Sequence, residues 1–144
     1  MILELALVIA ITDGDTIKVL DNNNHQYKIR LASIDAPERK QPYGLKSKQA
    51  LARLIGNQRV TLDCPKIDFF KRHVCTVTLN GDDVNAAMVK QGAAWVYSKY
   101  YKGTEYYNFQ HSAKSQGLGL WNTSEYQSIA PWKWRKMKKE GQSK

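Results

Sequence analysis

The N-terminal third of the chain contains runs of apolar residues that predict β-strands. Residues 5–11 are almost wholly apolar, whereas apolar and polar residues alternate at 17–20 and again at 27–34. Two turn-forming segments, 13–16 and 21–24, separate these runs, and the first contains an Asp-Gly pair that is typical of a hairpin. The pattern predicts a three-stranded antiparallel meander.

The remainder of the chain predicts two further strands and about three helices. Residues 42–56 carry an apolar stripe at helical spacing and end at Gly56, a residue suited to a helix C-terminus. The other elements are expected as strands at 59–64 and 74–79 and as helices at 84–91 and 104–117. Five short strands with a helix between the third and the fourth match the OB-fold, a partly open Greek-key β-barrel. The predicted fold class is therefore mainly β with α (α+β).

The 144 residues are expected to form one domain over residues 1–130, followed by a basic tail at 131–144. The tail contains six Lys or Arg and one Glu, together with Trp132 and Trp134. One interpretation is that the tryptophans pin the tail to the barrel and that residues 136–144 form a solvated, partly disordered end. The alternative is that the aromatic and cationic side chains of the tail bind the bases and phosphates of a nucleic acid.

The net charge of the chain favours a polyanionic partner. There are 22 Lys and Arg against 13 Asp and Glu, which gives a formal charge of +9, although a basic soluble surface would explain the same surplus. No apolar run approaches the roughly 20 residues that a membrane-spanning helix needs, so no membrane partner is expected. No export signal is recognised either, because Glu4 interrupts the apolar N-terminus and no basic residues precede it.

Two cysteines flank the loop between the fourth and fifth predicted strands. If those strands pair as a hairpin, Cys64 falls opposite Cys75 and a disulfide becomes sterically feasible. Two buried free thiols explain the same residues, so the redox state stays open. Two cysteines without a ligand-spaced His are a poor case for a zinc site.

Two acidic turns are predicted to meet at one edge of the sheet. In a meander the first turn and the end of the third strand lie together, so Asp15 and Asp35 would become neighbours. Close carboxylates repel each other unless a cation lies between them, and hard oxygen ligands suit Ca²⁺ or Mg²⁺. Taken alone, each acidic cluster is better explained by turn and helix-capping chemistry, so the metal site depends on their combination.

Four segments together resemble the staphylococcal nuclease (thermonuclease) family in their order and spacing. They are the Asp-Gly-Asp-Thr turn at 13–16, the segment from Arg30 to Glu38, the loop at 68–72, and residues 85–97, which end in Ala-Trp-Val-Tyr. The resemblance covers roughly residues 8–121 and implies the OB-fold of that family. It also implies a Ca²⁺-dependent endonuclease that cuts DNA and RNA with little sequence specificity and leaves 3′-phosphate ends.

The resemblance assigns a metal site and a general base to residues of this chain. One Ca²⁺ would be bound by the carboxylates of Asp15 and Asp35 and by the backbone carbonyl of Ala36, where family members commonly have Thr. Since the expected ligand at that position is a main-chain oxygen, loss of the hydroxyl should be tolerated. Glu38 would hold or deprotonate the attacking water, and Asp13 would tune the site or only shape the turn.

Arg30 and Arg72 are expected to clamp the phosphate, because guanidinium offers paired donors and stays charged. Phe70 and Lys71 are assigned to substrate binding, in a loop that departs from the family's Asp-x-Tyr-Gly-Arg pattern. Phe70 keeps an aromatic face but has no hydroxyl, and Lys71 replaces a glycine. If position 71 needs a positive φ, its side chain carries a steric cost and the aim of Arg72 changes.

Tyr97, with Tyr100 as the next candidate, is expected to line a pocket for the base, although a core tyrosine would explain Tyr97 equally well. The main alternative to the enzyme is a binding module, an OB-fold that holds single-stranded nucleic acid without cutting it. A third interpretation is a Ca²⁺-stabilised scaffold or adhesion domain. The chain is expected to act as a monomer on DNA and RNA, without a protein partner, and to be secreted or periplasmic.

Overall fold

The computed structural model describes residues 1–124 and 128–142. Its strands are β1 (Ile2–Asp13), β2 (Thr16–Leu20), β3 (Gln26–Leu31), β4 (Ile34–Asp35), β5 (Arg59–Ile67), β6 (His73–Leu79), β7 (Asp82–Asp83) and β8 (Trp95–Val96). Its helices are α1 (Gly44–Ile55), α2 (Val84–Lys90), α3 (Glu105–Ser115) and α4 (Pro131–Gln142), and a short 3₁₀ helix covers Gly119–Trp121. Within the described ranges, no helix is both long enough and apolar enough to cross a membrane.

The five longer strands form a closed barrel. Strand β1 pairs antiparallel with β2 and with β5, β2 pairs with β3, and β5 pairs with β6. The barrel closes where β3 runs parallel to β6, from Ile29 opposite His73 to Leu31 opposite Cys75. The predicted α+β OB-fold is confirmed, and so is the N-terminal meander of β1, β2 and β3.

Branched aliphatic side chains fill the barrel. The fully buried ones on the strands include Val8, Ile17, Val19, Ile29, Leu31, Val60, Leu62 and Val77. Leu51 and Ile55 of α1 and Met88 of α2 complete the same core. Because successive side chains of a strand point to opposite faces, burial of Ile29 puts Arg30 on the outer face of the barrel, where the site lies.

A disulfide joins β5 to β6. Asp63 lies opposite Thr76 in this antiparallel pair, so the next facing residues are Cys64 and Cys75, and these two are covalently linked. The sequence alone could not decide whether Cys64 and Cys75 are free thiols or a disulfide, and the structure contains the disulfide. The bond ties together the two strands that carry the loop at 68–72.

The C-terminal tail is a helix. The expectation of a partly disordered end is wrong for residues 136–142, which belong to α4, while residues 143–144 lie outside the described part of the chain. Among residues 1–124 and 128–142 there are accordingly four α-helices, where about three helices were expected. Pro131 suits the first helical position, where a missing N–H costs nothing. Trp132 packs against Trp95 and Tyr97, so a tryptophan does pin the tail to the barrel as expected.

Candidate functional site

The two acidic segments meet because β2 and β3 pair in register. Thr16 lies opposite Arg30, and the N–H of Leu31 donates to the carbonyl of Asp15 at 2.8 Å. The Asp15 carboxylate in turn accepts a hydrogen bond from the N–H of Ala36 at 2.8 Å. The turn after β1 is thus bonded to both ends of the segment that follows β3.

Gly14 allows this turn to pack closely against α1. A Cβ atom at position 14 would collide with the hydroxyl of Ser47 and lie 2.9 Å from the Cβ of Ala36. Ser47 is fully buried and donates to the carbonyl of Ala93 at 2.6 Å, so it cannot move away easily. The position of the acidic turn is therefore fixed by packing as well as by hydrogen bonds.

Arg30 lies between the two predicted metal ligands. Its Nη2 atom is 3.5 Å from Asp15 Oδ2 and 3.3 Å from Asp35 Oδ1. Its Nη1 atom donates to the carbonyls of Leu31 at 2.6 Å and Ile34 at 2.8 Å. Asp15 is 7 % exposed and Asp35 only 1 %. One partly buried guanidinium therefore holds both carboxylates near a single point.

Burial perturbs the carboxylates of this cluster, although two guanidinium groups contact Asp35. Burial raises the pKa of Asp35 from its usual 3.8 to about 6, and the charge of Asp15 adds to the rise, although Arg135 and Arg30 oppose it. The pKa of Asp13 is also raised, first by burial and then by the charges of neighbouring carboxylates. Because the ionised forms are disfavoured, an added cation would bind favourably.

The donor set at this point fits a hard divalent cation. Asp15 and Asp35 offer carboxylate oxygens, and Ala36 follows directly with a backbone carbonyl. Across residues 1–124 and 128–142, no group of three or more His, Cys, Asp or Glu side chains is arranged as a complete metal site. A bound ion would therefore need the backbone carbonyl and several waters to complete its shell, which Ca²⁺ accepts.

These residues line an open cleft of about 1360 Å³. The residues proposed from the sequence that line it are Asp13, Asp15, Arg30, Asp35, Ala36, Glu38, Phe70, Arg72, Tyr97 and Tyr100. Lys18, Lys28 and Lys66 add positive charge to its walls. An acidic centre with surrounding cations suits a polyanion that brings or shares a metal ion.

The loop at 68–72 is organised by Asp68. Its carboxylate accepts hydrogen bonds from the N–H groups of Phe70 at 2.9 Å and Arg72 at 3.0 Å, and from Arg72 Nε at 2.9 Å. Lys71 has a φ of +63°, the conformation in which a side chain is strained. It lies exposed at the tip of the loop, outside the lining of the cleft. Asp68 keeps Arg72 in the cleft despite this substitution.

Aromatic rings form one end of the cleft. The rings of Tyr97 and Tyr100 meet edge to face, with 4.9 Å between their centroids. The ring of Tyr97 also stacks on that of Trp132 of α4, with 5.4 Å between centroids and an interplanar angle of 5°. Tyr97 is partly exposed, so it is a surface residue of the cleft and not a core tyrosine. Phe70 is 70 % exposed on the opposite loop, with Arg72 over its ring at 5.3 Å.

Arg135 belongs to the site, although the sequence analysis did not assign it there. Its Nη2 atom lies 2.6 Å from Asp35 Oδ2, and its Nη1 atom lies 2.8 Å from Glu38 Oε1. These partners are 100 and 97 positions away in the chain, so no local pattern connects them. The available signal was the Pro-Trp-Lys-Trp-Arg run at 131–135, where an arginine follows two anchoring tryptophans.

Comparison with known proteins identifies the family. The profile described as "Staphylococcal nuclease homologue" matches residues 28–123. An uncharacterized endonuclease of Haemophilus influenzae is 39% identical over 132 residues, which cover 92% of this chain and 73% of the relative. A micrococcal nuclease of Shigella flexneri is 38% identical over 143 residues, covering 92% and 80%. A probable staphylococcal-like nuclease of Oryza sativa subsp. japonica is 37% identical over 111 residues, covering 77% and 29%.

The matched region runs from β3 past the 3₁₀ helix and contains Arg30, Asp35, Glu38 and Arg72. With relatives named endonuclease and micrococcal nuclease over nine-tenths of its length, the protein is a nuclease, a hydrolase whose substrate is nucleic acid. The resemblance carried by the sequence motifs is confirmed: this chain belongs to the staphylococcal nuclease family.

Proposed function

We propose that this nuclease is a Ca²⁺-dependent endonuclease that hydrolyses phosphodiester bonds of DNA and RNA with little sequence specificity and leaves 3′-phosphate ends. The observation that carries the proposal is the meeting of two buried carboxylates, Asp15 and Asp35, with the guanidinium of Arg30 in an open cleft. Phosphodiester hydrolysis needs an activated water and stabilisation of the negative charge that grows on the phosphate. The cleft offers groups suited to both needs.

Asp15 and Asp35 would hold one Ca²⁺ through their carboxylates, with the backbone carbonyl of Ala36 as the third protein ligand. All three donors are oxygens, the ligand type that Ca²⁺ prefers. When bound, the ion supplies Lewis-acid stabilisation of the phosphate charge. Asp13 would adjust the charge of the site from the adjacent turn.

Glu38 would act as the general base. Its side chain is 39% exposed on the wall of the cleft, so water reaches it, and the preceding Pro37 restricts the backbone. The N–H of Glu38 donates to Gln41 Oε1 at 3.1 Å, which fixes this segment further. The carboxylate would hold the attacking water in line with the phosphorus and accept its proton.

Arg30 and Arg72 would clamp the phosphate. Each guanidinium is already oriented by carboxylates, Arg30 by Asp15 and Asp35, and Arg72 by Asp68. Paired N–H donors match the oxygens of a phosphate and neutralise its growing charge. Contacts to phosphate carry no sequence information, which supports the low sequence specificity that we propose.

Phe70, Tyr97 and Tyr100 would stack on bases that flank the cleaved bond. Every base has a π face, so stacking tolerates any sequence and either kind of sugar. Lys71, at the tip of its loop, would contact backbone phosphates beyond the cleft.

We expect the protein to act as a monomer, because every residue proposed for the site comes from one chain. We also expect it to be secreted or periplasmic. The support for the compartment is the Cys64–Cys75 disulfide, since such bonds persist in oxidising environments.

The proposal is tested by Glu38→Gln beside wild type, with plasmid DNA and with RNA, in Ca²⁺ and in excess chelator. We expect wild type to cut both substrates only with Ca²⁺, and Glu38→Gln to lower kcat by about 10²- to 10⁴-fold with nucleotide affinity kept. Glu4→Gln, an exposed residue of β1 outside the cleft, is the matched control and should cut normally. Mapping the termini would identify the 3′-phosphate.

Several outcomes would contradict the proposal. Cleavage that survives the chelator would exclude the Ca²⁺ requirement, and unchanged cleavage by Glu38→Gln would remove Glu38 from the mechanism. Gel retardation of single strands without cleavage would favour the binding module instead.

A further inference from the structure

Helix α4 begins at a point fixed beside the cleft. Ala130 and Pro131 are buried, and Gln41 Nε2 donates to the carbonyl of Ile129 at 2.5 Å. The ring of Trp132 stacks on Tyr97 and meets Trp95 edge to face at 5.6 Å. The first turn of the helix is therefore held by packing on two sides, and this places the side chain of residue 135 at the rim of the cleft.

The guanidinium of Arg135 bridges two carboxylates to which we assign different roles. Nη1 donates to Glu38 Oε1 at 2.8 Å and to Asp35 Oδ1 at 3.2 Å, and Nη2 donates to Asp35 Oδ2 at 2.6 Å. Nη2 also lies 3.5 Å from the hydroxyl of Tyr97. A planar fork can satisfy two carboxylates at once in a fixed mutual orientation, which a lysine cannot do.

This contact restricts Glu38 without removing it from the cleft. A glutamate on an open wall samples several rotamers, and its charge is repelled by Asp35 and by the other carboxylates nearby. Arg135 bonds to Oε1, so Oε2 stays available to a water molecule. The cleft remains open with Arg135 lining its edge, so the helix does not fill the space that a substrate needs.

We propose that Arg135 is a positioning residue, which fixes the Glu38 carboxylate relative to Asp35 so that the attacking water is held in line. The inference rests on the proposed role of Glu38 as general base. It assigns a function to α4, which lies beyond the region matched by the family profile. Arg135 acts through Glu38 and need not touch the phosphate.

The experiment compares wild type, Arg135→Gln, Glu38→Gln and the double variant, with Lys136→Gln as a control that removes a neighbouring exposed cation from the same helix. We expect Arg135→Gln to lower kcat by about 10- to 100-fold, the usual effect of losing a group that orients a site residue, with KM little changed. In the Glu38→Gln background the same substitution should have no further effect, because the group that it positions is already gone. Lys136→Gln should match wild type.

Three further measurements separate positioning from a general structural role. Ca²⁺ affinity by calorimetry should not weaken in Arg135→Gln, since a cation has been removed from beside a proposed ligand. Urea unfolding should show that Arg135→Gln is folded under assay conditions. The Arg135→Lys variant should recover only part of kcat, because lysine restores the positive charge but not the paired donors of the guanidinium group.

The inference would be overturned if kcat of Arg135→Gln equals that of wild type. It would also be overturned if the loss of kcat in the double variant is the product of the losses in the two single variants. An increase in kcat would overturn it as well and would show that Arg135 blocks the site. If wild type cuts no nucleic acid in Ca²⁺, the proposed function fails and the inference with it, whereas an active wild type with an unaffected Arg135→Gln variant rejects the inference alone.

Discussion

Replacing Asn85 by alanine removes only a small side chain, but it should destabilise the protein strongly. Asn85 is fully buried at the start of α2, with 0% exposure, and makes three hydrogen bonds to the backbone. Its Oδ1 accepts from the N–H of Val77 at 3.0 Å, and its Nδ2 donates to the carbonyls of Ala32 at 2.9 Å and Cys75 at 3.1 Å. One side chain therefore joins β6 to the segment between β3 and β4, which separates Arg30 from Asp35.

The cost follows from which backbone groups would lose their partners. The carbonyl of Cys75 also accepts from the N–H of Ala32 at 2.8 Å, so it stays satisfied in Asn85→Ala. The buried Val77 N–H and the partly buried Ala32 carbonyl lose the bonds made by Asn85, and each group left unsatisfied costs about 1–3 kcal/mol. The free energy of unfolding should fall by about 2–6 kcal/mol, a large share of the roughly 5–15 kcal/mol that a domain has.

The measurement is urea unfolding followed by tryptophan fluorescence. With a slope of about 2 kcal/mol per molar, a loss of about 4 kcal/mol moves the midpoint by about 2 M. Asn108→Ala, an exposed asparagine on α3, is the control and should change the free energy of unfolding by no more than about 0.5 kcal/mol. If Asn85→Ala lowers the free energy of unfolding by less than about 1 kcal/mol, the Val77 N–H and the Ala32 carbonyl are not left without hydrogen-bond partners and the reasoning is refuted.

Two further predictions concern the Cys64–Cys75 disulfide and the aromatic side chain of Phe70. Reducing Cys64–Cys75, which are 11 positions apart, should lower the free energy of unfolding by about 3 kcal/mol, and coinciding urea midpoints with and without dithiothreitol would contradict this. In a Glu38→Gln background, which slows cleavage, Phe70→Leu should weaken binding of single-stranded DNA by about 5- to 150-fold, as expected for one lost base stack. Fluorescence anisotropy measures that affinity, with Tyr107→Leu on α3 as the control, and equal affinities of the two variants would exclude stacking on Phe70.

Local patterns were sufficient to predict the acidic centre. The Asp-Gly turn and the alternation along β2 and β3 define a hairpin register, and that register determines where Asp15 and Arg30 lie. The pairing of Cys64 with Cys75 followed from the same kind of count along β5 and β6. The replacement of glycine by Lys71 raises the question of a positive φ, and φ at Lys71 is indeed positive.

Other features depend on contacts between distant parts of the chain. The parallel pairing of β3 with β6 closes the barrel, yet no periodicity in either strand specifies it. Composition alone predicts a solvated end for the tail, as is usual for a basic chain terminus. Its helix is held by Trp132 on Tyr97, a contact that depends on the finished barrel. Arg135 could not be assigned from sequence for the same reason.

The distance along the chain between Arg135 and Glu38 also sets an order of events during synthesis. Residue 135 is added 97 positions after residue 38, and later than every strand of the barrel. Since domains assemble as the N-terminal part emerges from the ribosome, a nascent chain extended only through α3 already contains all the barrel strands. In such an intermediate the Glu38 carboxylate lacks its partner on α4, and the ion pair with Arg135 forms only after α4 has followed the barrel.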